Sequence, residues 1–219
     1  MSNARILADL MGTSTTVPSS KLSLVSTDLP TGTALQTVST NFNDIISIGS
    51  SDSTGVATGL TGGFSFIPNE SYVNITAKKA NSKYLVQFDG NASASNDTTY
   101  GDWIGGWGFV VDPAGGTSWT QIGSGTNTSN LNNIKFYSSR SDASGGGNDG
   151  YHSIQLCGNY LYTSTASAGT TLRFAIEYFH YDNSDHATMY INKKSSGTSG
   201  TATYQGGMAT TISVQEIAG

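Results

Sequence analysis

Histidine and carboxylate side chains are the residues of this sequence best suited to chemistry, and four of them lie close together. His180 and His186 flank a short loop that holds Asp182 and Asp185. Imidazole nitrogens and carboxylate oxygens are the ligand types of a zinc site. The same spacing is also typical of the two ends of a β-turn, because Asp side chains bond their own backbone in turns. The turn is the favoured interpretation, so we predict no metal and no cofactor here.

Residues for covalent or acid–base catalysis are equally sparse. The only glutamates are Glu70, Glu177 and Glu216, and two of them fall inside predicted strands. The sequence has no nucleophile elbow, and its Gly-rich stretch 145–147 lacks the Lys-Ser/Thr pair of a phosphate-binding loop. The single cysteine, Cys157, excludes an intrachain disulfide and is predicted to be a small buried hydrophobic residue. We therefore predict that the protein is not an enzyme.

Aromatic residues near predicted turns offer a different chemistry, since a flat ring can stack on the apolar face of a sugar. The alternative for every such ring is packing in the core or between subunits. Packing is favoured for Trp107, whereas the candidate glycan contacts are Tyr100, Trp119 and Tyr151.

The elements that would position these residues are strands. From Leu172 to Tyr181 apolar residues alternate, with Leu172, Phe174, Ile176, Tyr178 and His180 on one face, and this period of two is typical of a strand with one buried face. A turn at 182–185 and a second run at 187–191 predict a central hairpin. Other predicted pairs are 72–77 with 83–94, and 153–157 with 160–163 around a turn at Gly158-Asn159.

The closing run, 211–217, places Ile212, Val214 and Glu216 on one face, and we expect it to pair in the interior of a sheet. Eight to ten short strands separated by turns predict an all-β, antiparallel β-sandwich or jelly-roll domain over 51–219.

Residues 1–50 differ in character and predict an extended N-terminal arm. Its first residues fit a short helix that is too short to be stable alone, while 34–50 fit either a helical face or a strand. The arm would therefore dock on a partner through its apolar residues Ile6, Leu7, Leu10, Met11, Leu22 and Leu24.

The amino-acid composition limits the classes of partner that the protein is expected to bind. Of 219 residues only 11 % are charged, and the net charge is −5, which argues against a nucleic-acid partner because such binding needs a Lys/Arg footprint. No apolar run approaches the roughly 20 residues that span a bilayer. The start of the sequence has no apolar signal core, so we expect the chain to be made in the cytoplasm of its host.

Two segments resemble a known group of proteins. SNARILADLMGTSTTVPSSKL resembles the N-terminal segment of small structural and fibre proteins of tailed, especially marine and cyanobacterial, bacteriophages. YLVQFDGNASAS, TLRFAIEYFH and TTISVQEIAG resemble their C-terminal modules, which are similar to the trimeric jelly roll of the tumour necrosis factor and complement globular-head superfamily.

The resemblance implies a homotrimeric protein of the virion surface whose arm binds other capsid or tail proteins. It implies a head-decoration, cement or short-fibre role, with a host-glycan-binding fibre as the alternative. In such trimers aromatic side chains line the threefold axis, and we predict that some of Phe109, Tyr178, His180 and Tyr190 lie there.

Overall fold

Thirteen strands form the framework of the protein. The computed structural model describes residues 29–43, 46–48, 55–57, 64–68, 71–95, 102–116, 118–123, 135–140, 153–181, 188–192 and 209–219. Within these residues all regular structure is β: β1 (Ala34–Phe42), β2 (Ile46–Ile48), β3 (Gly55–Ala57), β4 (Phe64–Pro68), β5 (Tyr72–Thr76), β6 (Lys83–Ser95), β7 (Asp102–Asp112), β8 (Thr120–Ile122), β9 (Lys135–Arg140), β10 (Ser153–Thr163), β11 (Thr171–Tyr181), β12 (Thr188–Ile191) and β13 (Thr210–Ile217).

The strands form two antiparallel sheets. In the first sheet β6 is central, with β10 along one edge and β13 and β12 sharing the other, while β1 pairs with β13 and β2 with β12. In the second sheet β11 is central, with β7 on one side and β4 and β5 on the other. There β3 pairs with β4, and β8 and β9 share the far edge of β7. The predicted all-β class and the β-sandwich are confirmed.

The longer strands pair from the ends of the chain inward. The first, β1, pairs with the last, β13; then β5 pairs with β11, β6 with β10, and β7 with β9. The first and third pairs lie in one sheet, and the second and fourth lie in the other. The chain is thus arranged as one long hairpin that is folded over on itself.

The core lies between the sheets and is built by the predicted alternation. Leu172, Phe174, Ile176 and Tyr178 of β11 are all 0 % exposed, as expected for the inward face of a strand. Ile212 and Val214 of β13 are buried in the same cluster, and their strand lies between β1 and β6 as predicted for the closing run. Fully burying each large apolar side chain contributes about 1.5–3 kcal/mol.

Aromatic rings make up much of this core. Phe88 and Trp107 have their ring centroids 4.9 Å apart, and Trp107 meets Phe109 edge-on at 5.3 Å. Tyr84 and Phe174 lie 5.5 Å apart. Trp107 therefore lies in the core, as the packing interpretation required.

Three predicted local pairings are wrong. The runs at 172–181 and 187–191 do not form a hairpin, because β11 lies in the second sheet and β12 lies in the first. The runs at 72–77 and 83–94 are likewise split between β5 of the second sheet and β6 of the first. Gly158-Asn159 is not a turn, because β10 continues through it with Gly158 opposite Phe88 of β6. Alternation predicts a strand but does not say which strand it pairs with.

Part of the predicted arm lies in the first sheet. Residues 34–42, which fitted both helix and strand, form β1, and they pair with β13 from Ala34 to Phe42. These residues of the predicted arm therefore pair within the first sheet. Residues 1–28, with the predicted helix and all six predicted anchoring residues, lie outside the described part of the chain.

Both ends of the described chain meet at one end of the sandwich, here called the terminal end. The Gly32 N–H donates to Ala218 O, and the Ala218 N–H donates to Thr33 O, both at 2.8 Å. Two crossovers between the sheets, 77–82 and 164–170, meet at the same end, where the Ala77 N–H donates to Thr170 O and the Ser164 N–H donates to Ser82 O. The predicted arm therefore joins the sandwich at the terminal end.

Candidate functional site

A small aromatic and polar cluster covers part of the outer face of the second sheet. We call it the Trp119 patch, and it comprises Tyr72, Asn74, Trp119, Gln121 and Arg173. The register explains why these residues meet. Ala175 of β11 lies opposite Tyr72 of β5 on one side and opposite Val110 of β7 on the other, and Val110 lies opposite Gln121 of β8.

The base of the patch is a second, smaller apolar cluster. Ile67, Val110 and Ala175 are at most 1 % exposed although they point away from the core between the sheets. Trp119 and Tyr72 are half-buried and pack against this cluster, with their ring centroids 6.5 Å apart and their planes tilted by 52°. The small Ala175 side chain leaves room for the rings, which keep part of their surface in solvent.

Arg173 fixes the rim of the patch. Its guanidinium carbon lies 4.5 Å from the centroid of the Tyr72 ring, within the range of a cation–π contact. Its Nε donates to Asn74 Oδ1 at 3.2 Å, Nη1 donates to Gly116 O at 2.9 Å and Nη2 donates to Gly115 O at 3.1 Å. Arg173 therefore connects strand β5 to the turn that follows β7.

Two carboxylates lie on the same outward face of the sheet as Arg173. Asp112 lies directly opposite Arg173 in the register, and its Oδ1 accepts the Ala114 N–H at 3.1 Å, which closes the turn after β7. Glu177 lies on the same face of β11 and is 0 % exposed, and its Oε2 accepts a 2.8 Å hydrogen bond from Gln121 Nε2. The neighbourhood of the patch therefore carries more negative than positive formal charge.

The outer face of the first sheet has a different character. Leu161 of β10 is 48 % exposed and is the only exposed large hydrophobic residue in the described part of the chain. It lies opposite Leu85 of β6, which is half-buried. Lys83 and Asp89 are the only charged residues among the outward side chains described on β1, β6, β10 and β13. We call this surface the first-sheet face.

The terminal end contains a third polar cluster, centred on Glu216. This carboxylate is 0 % exposed and accepts hydrogen bonds from the N–H groups of Lys78 and Lys79, at 2.9 and 3.1 Å to Oε1. The Ser82 hydroxyl donates to Oε1 at 2.8 Å, and Gln36 Nε2 donates to Oε2 at 2.5 Å. A buried carboxylate is stable when hydrogen bonds replace its water. This cluster holds the crossover 77–82 against β13 and β1, so its role is structural.

Tyrosine hydroxyls inside the sandwich have their acidity lowered by this environment. Burial raises the pKa of Tyr84, and the nearby Glu216 carboxylate raises it further. Burial also raises the pKa of Tyr178 and of Tyr162. These phenols stay neutral well above the ordinary tyrosine range, so they act as packing residues at physiological pH.

The residues predicted to line a trimer axis are placed as follows. Phe109 and Tyr178 lie in the core of a single copy, 5 % and 0 % exposed. Contact of either ring with a sister subunit would require this core to open. The side chains of His180 and Tyr190 lie outside what the structure describes.

The predicted glycan contacts and the cysteine are placed as follows. Trp119 is half-buried on the outer face of the second sheet, while Tyr100 and Tyr151 fall outside the described residues. Cys157 is exposed and not buried as predicted. The reason is the register of β10, in which Leu156 points into the core and the next residue must point outward.

Sequence reasoning did not anticipate the remaining members of the Trp119 patch. The sequence places Tyr72 in the predicted strand 72–77 and Arg173 in the alternating run that includes Leu172 and Phe174. One signal was present in the sequence, since Arg173 and Glu177 put two ionisable groups on one face of a strand that is otherwise apolar.

Comparison with known proteins adds no assignment. No protein-family model matches the chain, and a search of curated proteins finds no significant match. Among the described residues no three His, Cys, Asp or Glu side chains are placed to bind one metal ion. That part of the chain also contains no helix long and apolar enough to cross a bilayer.

Proposed function

We propose that this chain is a non-enzymatic structural protein of the surface of a tailed-phage particle, in a head-decoration, cement or short-fibre role. The observation that carries the proposal is the pairing of strands from the chain ends inward, β1 with β13, β5 with β11, β6 with β10 and β7 with β9. This is the pairing expected of a jelly roll, an architecture common in viral capsid and lectin domains. Because a fold alone does not assign a function, the particle role rests also on the resemblance of SNARILADLMG and the three later segments to phage structural proteins.

The geometry of the terminal end supports attachment through the arm. Residues 31–33 are held against the last two residues by the backbone pair of Gly32 and Thr33 with Ala218 and by the Thr31 hydroxyl, which donates to Gly219 O at 3.2 Å. An arm that precedes Leu29 leaves the sandwich at this end. The strand ends at Ser95, Asp102 and Ser153 lie at the opposite end, which in this proposal faces away from the particle.

Truncation tests the attachment. A chain lacking residues 1–28 keeps β1 and its pairing with β13, so we expect a folded head that no longer binds particles prepared without this protein. A chain lacking residues 1–42 also loses β1 and exposes one edge of β13, so we expect it to be much less stable. Co-sedimentation with particles and circular dichroism measure the two effects. Undiminished particle binding by the shorter truncation would overturn attachment through the arm.

The first-sheet face is the surface that we assign to contact between copies in a trimer. Its outward side chains are nearly free of charge, and depletion of charge is the compositional mark of the centre of an interface. The exposed Leu161 lies beside Leu85 on this face. Phe109 and Tyr178 are already used in the core, so this assignment replaces them as the contact surface.

Substitution on the two faces tests the trimer. Leu161→Asp places a charge on the first-sheet face without disturbing the core, and we expect it to convert trimers to monomers. Thr120→Asp is the matched control, because Thr120 is exposed on β8 of the second sheet. Light scattering coupled to gel filtration measures the mass of each. A monomeric native protein, or a Leu161→Asp variant that stays trimeric, would refute the assignment.

A further inference from the structure

We propose that the Trp119 patch is a binding site for neutral saccharides. The proposal goes beyond the particle role and does not depend on it, because it concerns one copy of the chain and a surface on the sheet opposite the first-sheet face. It rests on the exposure of the rings, the polar groups around them and the charge of the neighbourhood.

The aromatic rings supply the apolar half of such a site. Trp119 and Tyr72 are held from below by Ile67, Val110 and Ala175, which are all buried. The rings are therefore fixed before a ligand arrives, and a rigid platform loses little side-chain entropy on binding. Their outer surface remains in solvent, and the flat apolar face of a pyranose ring matches it in shape and polarity.

The polar groups at the rim supply the other half. Asn74 is exposed and Gln121 is half-buried, and a carboxamide both donates and accepts hydrogen bonds, as a sugar hydroxyl does. Arg173 uses three of its nitrogens within the protein, on Asn74, Gly115 and Gly116. It thereby holds Asn74 and the turn after β7 in place beside the rings. Few, well-positioned polar groups around an aromatic surface are the usual composition of a small-molecule site.

The charge of the neighbourhood selects a neutral ligand over an acidic one. Arg173 is the one cation of the patch, and its guanidinium is engaged by Asn74, Gly115 and Gly116. Two carboxylates lie on the same outward face, Asp112 opposite Arg173 in the register and Glu177 bonded to Gln121. A sialylated, sulfated or phosphorylated glycan would meet two negative groups and one already engaged guanidinium. A neutral hexopyranose meets no such repulsion.

The experiment uses the full-length chain and two kinds of probe. Methyl α-D-glucopyranoside and methyl β-D-galactopyranoside are titrated to roughly 10 mM while tryptophan fluorescence and saturation-transfer NMR are recorded, and an array of neutral and acidic glycans is probed in parallel. We expect binding of at least one neutral probe or neutral glycan, with a change in tryptophan emission, and no preference for acidic glycans.

Variants locate the binding on the patch. Trp119→Ala should weaken binding at least tenfold, and Asn74→Ala, an exposed change that leaves the rings packed, should weaken it severalfold. Ser167→Ala, an exposed change on the crossover 164–170 that belongs neither to the patch nor to the first-sheet face, should leave it unchanged, and circular dichroism confirms that each variant is folded.

Three results would overturn the proposal: no binding by any neutral probe or glycan, a preference for acidic glycans, or neutral-glycan binding that survives both patch substitutions. The first result would leave the patch as a protein contact. None of them alters the particle-binding test of the truncated chain, so the two proposals fail separately.

Discussion

Replacing the buried Glu216 is expected to be the most damaging single change at the terminal end. Its carboxylate accepts hydrogen bonds from four donors, the Lys78 and Lys79 amides, the Ser82 hydroxyl and the Gln36 amide. Ser82 and Gln36 each have a second acceptor, Lys79 O at 2.9 Å and Thr76 O at 2.6 Å. The two backbone amides are therefore the donors that lose most.

The magnitude follows from those two amides. A hydrogen bond to a charged group contributes about 1.5–3 kcal/mol, so the loss of two predicts that Glu216→Ala lowers the free energy of unfolding by roughly 3–6 kcal/mol. Glu216→Gln keeps the size of the side chain but replaces one acceptor oxygen by an NH₂ group, which must face an N–H donor in either orientation. We expect it to cost about 2–3 kcal/mol, because one buried donor then has no acceptor at that site.

The assay is equilibrium unfolding in urea, monitored by circular dichroism and by the fluorescence emission of the buried Trp107. All variants are compared at one protein concentration, because assembly would alter the apparent stability. Asp89→Asn is the matched control. Asp89 is exposed and accepts one hydrogen bond from Gln155 at 3.1 Å, so its loss should change stability by less than about 0.5 kcal/mol. Hydrogen exchange at Lys78 and Lys79 should accelerate in the Glu216 variants alone. A loss below about 1 kcal/mol in Glu216→Ala would refute the reasoning, since two charge-assisted bonds cannot be worth so little.

Three further predictions concern the interior and the exposed thiol. Tyr84→Phe should leave stability unchanged or raise it by about 1 kcal/mol in urea unfolding, because the buried hydroxyl has no hydrogen-bond partner among the described residues. A loss above about 1 kcal/mol would contradict this. Burial raises the pKa of Tyr84 and Tyr178 in the folded protein, so these tyrosines ionise at lower pH in the unfolded chain. Their contribution to the free energy of unfolding is therefore complete below pH 10 and falls above it by about 1.4 kcal/mol per pH unit for each tyrosine. Unfolding from pH 9 to 11.5 should show that fall, and a Tyr84→Phe, Tyr178→Phe double variant with an equally steep fall would disprove its origin. Cys157 in monomeric Leu161→Asp should react with a maleimide without denaturant, whereas protection in that variant would contradict its exposure.

The sequence predicts what is local in this fold. Alternation over Leu172–Tyr178 and over Ile212–Glu216 identifies the inward faces correctly, because side-chain direction along a strand depends only on position within it. The pairing of strands depends on residues far apart in the chain, such as Ala34 with Ile217. No local pattern contains that information, and the predicted hairpins therefore joined strands that lie in opposite sheets.

The candidate site shows the same division. Trp119 was identifiable from its type and its place beside a turn. Its neighbours come from β5, β8 and β11, and only the register places Tyr72 and Gln121 in one row across the sheet with Ala175. The exposure of Cys157 was not predicted, because an error of one residue in the alternation of a strand reverses the direction of every side chain.

The crossovers between sheets also explain why no partner was predictable for Glu216, which alternation places on one face of its strand with Ile212 and Val214. Because the strands pair from the ends of the chain inward, the last strand, β13, lies beside the first, β1. The crossover 77–82, which joins β5 to β6, passes over the ends of these two strands. A carboxylate at this place can accept the amides of a loop that is 137 residues away in sequence, as it does from Lys79. An apolar residue here would bury the same area but leave those amides without this acceptor. The buried charge is therefore a consequence of the topology, since the crossover must turn from one sheet to the other while its N–H groups still require acceptors.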